Sequence, residues 1–306
     1  MLALIAHPAC LGHENGPGHP ESPARLTAVR AALDAALVQT GRASWLEAPL
    51  VRDEDLRRVH TPGYLARLAR LDAAGGGWLD PDTGMGPRSL EAARRAAGAA
   101  VLAAERAMRG EGPSFCAVRP PGHHATPSRG MGFCLLSNAA VAAATALGRL
   151  GAERVLIVDW DVHHGNGTAE AVRAEPRVRY VSLHQWPYYP GTGLADDTGC
   201  GNLFHVPRPP GLPRATYVAD LLDAVDRAVD GFAPQLVIHS AGFDALRGDP
   251  LGGFTLEPDD YAAITAGIAE RTAGAPAMGV MEGGYDPPRL AAAAVRHAAA
   301  LAGVDG

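Results

Sequence analysis

The sequence predicts an α/β protein: a parallel sheet with helices on both faces. Three observations point to that class. Short apolar runs alternate with long, alanine-rich amphipathic stretches along the whole chain. The apolar runs are continuous rather than alternating, so the strands are buried on both sides, as parallel strands are. Polar, Gly/Pro-rich segments follow several of these runs, at the edge where open parallel sheets gather their ligands. No linker, repeat or charge block divides the chain, and 1–306 reads as a single domain.

The strands read as Leu2–Ala6, Phe115–Val118, Val155–Asp159, Tyr180–Leu183, Leu203–Val206, Leu236–Ser240 and Ala277–Met281. Helices fall at about 23–39, 63–73, 88–109, 138–149, 213–230, 258–271 and 287–302. Ser22 stands as an N-cap for the first helix, with Pro23 at its first position. The apolar start of the chain has no basic flank and runs into His7 and Pro8, so it is a strand and not a signal peptide. No apolar run approaches the ~18 residues of a membrane span.

Composition excludes further classes. Hydrophobic residues make up 47% and charged residues 20%, enough for a large core. The net charge is −6, which argues against a basic nucleic-acid surface. All 27 basic residues are arginine, in keeping with GC-rich bacterial coding. The cysteines at 10, 116, 134 and 200 form no CxxC motif and read as the reduced thiols of a cytoplasmic protein.

The strongest chemical signal is VLIVDWDVHHGNGT at 155–168. Asp159, Asp161 and His163 follow a buried strand at i, i+2, i+4, which in extended backbone puts them on one side. A carboxylate and an imidazole there suit Zn²⁺ or Fe²⁺. Asp244, after the strand LVIHSA, is the candidate third ligand, and Asp249 in the same loop is a weaker one. Either also fits a helix cap or turn. In RPPGHHA, His123 and His124 follow a proline-stiffened turn and can act as general base and electrostatic partner beside a metal. Tyr285, in Glu-Gly-Gly-Tyr, can donate to an oxyanion or simply pack over a turn. His13-Glu14 is not part of HExxH, Ser240 lacks the GxSxG frame, and a lysine-free chain has no P-loop. His7, His60, His184, His205, His239 and His297 stand singly and read as structural.

RPPGHHA, GFC, DWDVHHGNGT, VSLH, SAGFDALRGDPLGG and EGGY, in this order, resemble the histone deacetylase family, nearest its class II branch with the bacterial deacetylase-like and acetylpolyamine amidohydrolase members. The resemblance runs from His7 to about Tyr285. It implies an arginase/deacetylase fold around a mainly parallel, eight-stranded sheet, and a Zn²⁺-dependent deacylase of lysine or a similar amine. It implies that Asp161, His163 and Asp244 hold the metal, that His124 is the base and then the acid, and that His123 is its partner, held by Asp159. Tyr285 would polarise the amide carbonyl. Phe133 and Tyr189 would line an acyl-lysine tunnel, Gly132 would contact the substrate amide, and Asp82 would hold substrate at the rim. Structural K⁺ would sit among Asp159, Asp161, Ser182 and the carbonyls of His163 and Leu183.

Three positions mark the branch. Asn166 stands beside the second histidine where class I members carry aspartate. Tyr189 replaces the commoner tunnel phenylalanine. Leu251 occupies a gate that is glutamate in eukaryotic polyamine enzymes. The expected partner is therefore a small-molecule or peptide N-acyl amine, with no nucleic acid and no membrane; a homo-oligomer is compatible with the sequence. Four readings compete: an acyl-lysine deacylase; an acetylpolyamine amidohydrolase, with Glu14 and Asp82 at an acidic rim; a ureohydrolase; and a silent acyl-lysine binding module. The histidine pair and Tyr285 favour the first two.

Overall fold

The computed structural model describes residues 1–304. The chain begins with β1 (Leu2–Ala6), a 3₁₀ turn at Pro8–Gly12 and α1 (Pro23–Leu33). There follow β2 (Ala43–Glu47), α2 (Asp53–Leu56), α3 (Pro62–Ala73), the hairpin of β3 (Gly77–Asp80) and β4 (Thr83–Met85), and the long α4 (Ser89–Met108). Next come β5 (Ser114–Cys116), α5 (Asn138–Arg149), β6 (Val155–Asp159), α6 (Asn166–Val172) and β7 (Val178–Gln185). The chain closes with β8 (Leu203–Arg208), α7 (Arg214–Val229), β9 (Leu236–Ala241), α8 (Pro258–Arg271), β10 (Ala277–Met281) and α9 (Pro287–Leu301).

Eight strands form one sheet in the order β2-β1-β5-β10-β9-β6-β7-β8, and every neighbouring pair is parallel. The inner strands are buried along their whole length, as their continuous Val/Ile/Leu runs require. Helices α1, α9, α8 and α7 pack side by side on one face, while α4 and α5 pair on the other. The register sets Asp159 of β6 beside Ser182 of β7 and Ser240 of β9, so polar strand ends converge at the C-terminal edge. No helix among the described residues is long and apolar enough to cross a membrane.

The departures from expectation have physical reasons. Edge strand β2 escapes the apolar-run pattern because it buries Ala43 but exposes Ser44 and Glu47. The β3–β4 hairpin is short and glycine-rich, and α6 is a helix of only seven residues after HHG. The helix expected at 23–39 ends at Leu33 and continues as a π turn, Asp34–Val38, with Asp34 accepting from the Trp45 indole at 3.3 Å. Ser22 does hold the cap position, but its hydroxyl makes no capping bond. The strand expected at Phe115–Val118 is β5, shifted by one residue and shorter.

Helix α4 shows why small residues dominate this chain. Its alanines are buried against the sheet and α5, and Gly98 meets the loop after β2. A Cβ at Gly98 would lie 2.0 Å from the Pro49 carbonyl oxygen and 2.9 Å from the Val51 nitrogen. Alanine gains about 1 kcal/mol over glycine in a free helix, whereas overpacking costs about 1–3 kcal/mol. The Gly98→Ala variant is therefore expected to unfold at a lower temperature than wild type in a thermal melt. A midpoint at or above wild type would show that the Pro49 loop yields freely.

Candidate active site

The loop leaving β6 bends back on itself, and each turn is held by a carboxylate. Asp159 Oδ1 accepts from the Asp161 N–H at 3.1 Å, and Asp161 Oδ1 from the His163 N–H at 3.0 Å. Asp244, on the loop after β9, accepts from the Val162 N–H at 2.8 Å, so the two loops are tied. Asp161, His163 and Asp244 thereby offer three buried ligand atoms within 4.8 Å of one another. His163 Nδ1 lies 3.0 Å from Asp161 Oδ1 and 3.3 Å from Asp244 Oδ2. Glycines make the room: a Cβ at Gly283 would sit 2.1 Å from Asp244 Oδ2, and one at Gly242 would sit 2.3 Å from Asp161 Oδ2.

These residues fit a divalent metal. Burial and the adjacent Asp161 carboxylate push Asp244 up to about 7. Burial opposes charge on His163, yet the Asp161 and Asp244 carboxylates beside its ring nitrogen push it up to about 9. Two carboxylates thus hold a proton on Nδ1, at the position where a metal would displace it. Asp244 Oδ2 accepts no well-aligned hydrogen bond, although His163 Nδ1 stands 3.3 Å away, an unusual state for a buried carboxylate oxygen. Two carboxylates and an imidazole are a donor set suited to catalytic Zn²⁺ or to Fe²⁺.

The histidine pair stands beside this cluster, its ring centroids 4.0 Å apart. His123 Nδ1 is 3.1 Å from Asp159 Oδ2, which also accepts from the Tyr180 hydroxyl at 2.8 Å. Burial works against charge on His123, but the Asp161 and Asp159 carboxylates outweigh it and hold its pKa well above the usual value. His124 goes the other way: burial, then the neighbouring His123 and His163, hold it well below. Its Nδ1 lies 2.8 Å from Asn166 Oδ1, which takes the N–H there and leaves a lone pair on Nε2.

Tyr285 lies on the segment that follows β10. Its ring faces the Arg25 guanidinium at 4.8 Å and Phe133 at 5.9 Å, and its N–H donates to Asp249 at 2.7 Å. Burial holds the phenol well above its usual pKa, so it remains a donor. Tyr189 meets His124 edge-on at 5.1 Å, while Tyr188 stacks on His163 at 5.4 Å and bonds the Leu251 carbonyl at 3.3 Å. Gly132 and Phe133 both adopt positive φ, 55° and 68°, and a Cβ at 132 would lie 2.4 Å from the His124 ring. Asp82 is exposed on the β3–β4 turn, and its neighbour Thr83 accepts from the Phe133 N–H at 3.0 Å. The turn is thus fixed to the wall of the site; burial, and then the Asp82 and Asp80 carboxylates, hold the Tyr189 phenol above its usual pKa. Ser182 and Leu183 are buried on β7 behind Asp159, and the Ser182 hydroxyl pairs with His184 at 3.0 Å.

Several residues gain parts that their sequence context did not give them. His184 and His205 do not stand singly: they pack around His164, whose Nε2 lies 3.2 Å from His205 Nε2. Asp249 lies outside the Asp161–His163–Asp244 cluster and accepts from the main-chain N–H groups of Tyr285 and Leu251. Beneath the site, fully buried Glu21 accepts from Arg119 at 2.5 and 2.6 Å, from Arg25 at 3.0 Å and from Asn15 at 3.0 Å. Arg25 also holds the carbonyls of Gly284, at 2.5 Å, and Glu282. An arginine closing the buried strand FCAVR was the available signal for this network.

The chain is similar to known proteins over nearly its whole length. The model of the histone deacetylase domain matches residues 19–301. The chain is 42% identical over 277 residues to a histone deacetylase-like amidohydrolase of Pseudomonas aeruginosa, covering 88% of this chain and 73% of that one. It is 38% identical over 309 residues to a probable deacetylase of Methanothermobacter thermautotrophicus, covering 99% and 91%. The crystal structure of the HDA15 HD domain superposes with a TM-score of 0.94 at 37% identity, over 99% of this chain and 89% of that one.

The arginine network yields a stability prediction. Burial opposes charge on Glu21, but Arg119, His13 and Arg25 outweigh it and push it down to about 2. The stabilisation is fully present above the ordinary value of 4.5 and is lost as pH falls toward 2. Arg119→Met leaves the carboxylate short of its main partner and is expected to lower the unfolding free energy by about 3–5 kcal/mol in urea at pH 7. A loss under about 1 kcal/mol would mean that Arg25 alone suffices.

Proposed function

The chain belongs to the histone deacetylase family of amide hydrolases, and from that premise we propose that it is a zinc-dependent deacylase of acyl-lysine or a similar N-acyl amine. The observation that carries the reading is the buried Asp161–His163–Asp244 cluster set beside two histidines of opposite charge preference. When bound there, Zn²⁺ supplies a Lewis acid that polarises an amide carbonyl and acidifies water.

The chain's own residues do the rest. His124 Nε2 takes the proton of the attacking water and returns it to the leaving amine. His123, kept charged by Asp159, stabilises negative charge developing nearby. Asn166 fixes the His124 tautomer with a neutral oxygen, so no carboxylate holds that ring protonated. The Tyr285 hydroxyl donates to the carbonyl oxygen as it becomes an oxyanion. Phe133 and Tyr189 flank the substrate stem, and Gly132 lets main chain approach the amide. A structural K⁺ would be held by Asp159, Asp161, Ser182 and the carbonyls of His163 and Leu183, where it offsets buried carboxylate charge. All four cysteines are free, which supports a reducing, cytoplasmic setting.

An acetylpolyamine is the second reading, favoured by the Asp80 and Asp82 carboxylates on the β3–β4 turn, which Thr83 ties to Phe133. Against it, Leu251 offers no partner to an internal ammonium. Zinc-loaded protein assayed on acetyl-lysine peptides, longer acyl-lysine peptides and acetylated putrescine and spermidine decides between them. We expect turnover, with kcat/KM highest on an acyl-lysine peptide; Tyr285→Phe should lose about 10²–10³ in kcat with zinc retained. No hydrolysis of any member of the panel would overturn the reading, and an unchanged kcat would reduce Tyr285 to packing.

The metal assignment has its own test. Asp244→Ala leaves two ligands, and its zinc content after dialysis is expected to fall far below one ion per chain. Wild-type zinc affinity in that variant would remove Asp244 from the site.

A further inference from the structure

The proposed chemistry gives Glu282 no part, yet its side chain is completely buried and fully bonded. Oε2 accepts from the main-chain N–H of Gly122 at 2.6 Å and of His123 at 3.1 Å. Oε1 accepts from the Ser240 hydroxyl at 2.9 Å. The loop is pressed against this carboxyl from the far side: a Cβ at Gly122 would lie 2.5 Å from the Asn138 nitrogen and 2.7 Å from the Leu136 carbonyl oxygen. The residues after Glu282 reach the other half of the site. Gly283 N–H donates to Asp161 Oδ2 at 2.8 Å, and Tyr285 N–H donates to Asp249 at 2.7 Å. One four-residue segment thus touches the histidine loop, a ligand carboxylate and the tyrosine.

We propose that Glu282 is a positioning residue that sets the His123–His124 main chain in register with the ligand carboxylates and Tyr285. The inference rests on the deacylase reading, in which His124 carries the proton. The carboxyl supplies an acceptor that nothing else in the loop provides. Without it, two buried N–H groups lose their partner and the loop moves toward others. Displacement of a base by about 1 Å costs about 10²-fold in rate.

Two variants separate positioning from folding. Glutamine at 282 can point its amide oxygen at Gly122 and His123 and its NH₂ at the Ser240 oxygen, keeping the clamp. Methionine fills similar space and offers no comparable acceptor. In zinc-loaded protein, Glu282→Gln is expected to keep kcat within about threefold, whereas Glu282→Met loses about 10²-fold on an acetyl-lysine peptide at near-constant KM. The Met variant should lose less on a trifluoroacetyl-lysine peptide, whose carbonyl is the better electrophile; mere loss of folded protein lowers both by one factor. Crystal structures should show the His123 main chain displaced in Glu282→Met and in place in Glu282→Gln. Equal losses in the two variants, one common factor on both substrates, or an undisplaced His123 in the Met variant would each overturn the proposal. If wild-type protein hydrolyses neither substrate, the deacylase reading fails, and the crystal comparison still decides whether Glu282 holds the loop.

Discussion

Four carboxyl groups, Asp159, Asp161, Asp244 and Glu282, lie fully buried at one edge of the sheet, and the rest of the structure answers to the cost of keeping them there. An isolated buried ion costs several kcal/mol, so each must be met by N–H donors, imidazoles or a cation. The local backbone is shaped to do this. The loop after β6 turns its amides onto Asp159 and Asp161, and Val162 and Gly283 point theirs at Asp244 and Asp161. Side chains of the flanking strands, Tyr180 and Ser240, complete the set because the register brings them alongside. One oxygen of Asp244 is left without a well-aligned hydrogen bond, 3.3 Å from the His163 ring nitrogen.

A second charged layer supports the first. Glu21 and two arginines link the segment after β1 to the end of β10, and Arg25 lies against the ring of Tyr285. Residues far apart in the chain thereby fix one tyrosine. Rigidity here serves chemistry, since an oxyanion donor acts only where its hydroxyl is already placed.

Much of this was legible in the sequence, for reasons that can be named. Continuous apolar runs marked the inner strands, because burial on both faces leaves no polar alternation. The pattern DWDVHH marked ligands by its density of carboxylates and imidazoles; the extended backbone expected there ends at Asp159, and carboxylate-held turns bring Asp161 and His163 together instead. β2 and the β3–β4 hairpin were hidden, since each is wet on one side or too short for a run. Glu282 stood in plain view beside Tyr285, but its role depends on the N–H groups of Gly122 and His123, 160 and 159 residues away. The same holds for Arg119 and Glu21: long-range polar pairing leaves no local periodicity to read.

The strand order also governs how the molecule is made. β10 lies between β5 and β9, so as the nascent chain emerges, the β1–β5 and β6–β9 halves expose two inner edges that have no partner yet. Such edges are open to pairing with other chains. When residues 277–281 arrive they close both edges at once and carry in Glu282, Gly283 and Tyr285 directly behind. A prematurely terminated chain would therefore be an aggregation hazard and not a weak enzyme, because the step that seals the sheet is the same one that assembles the site.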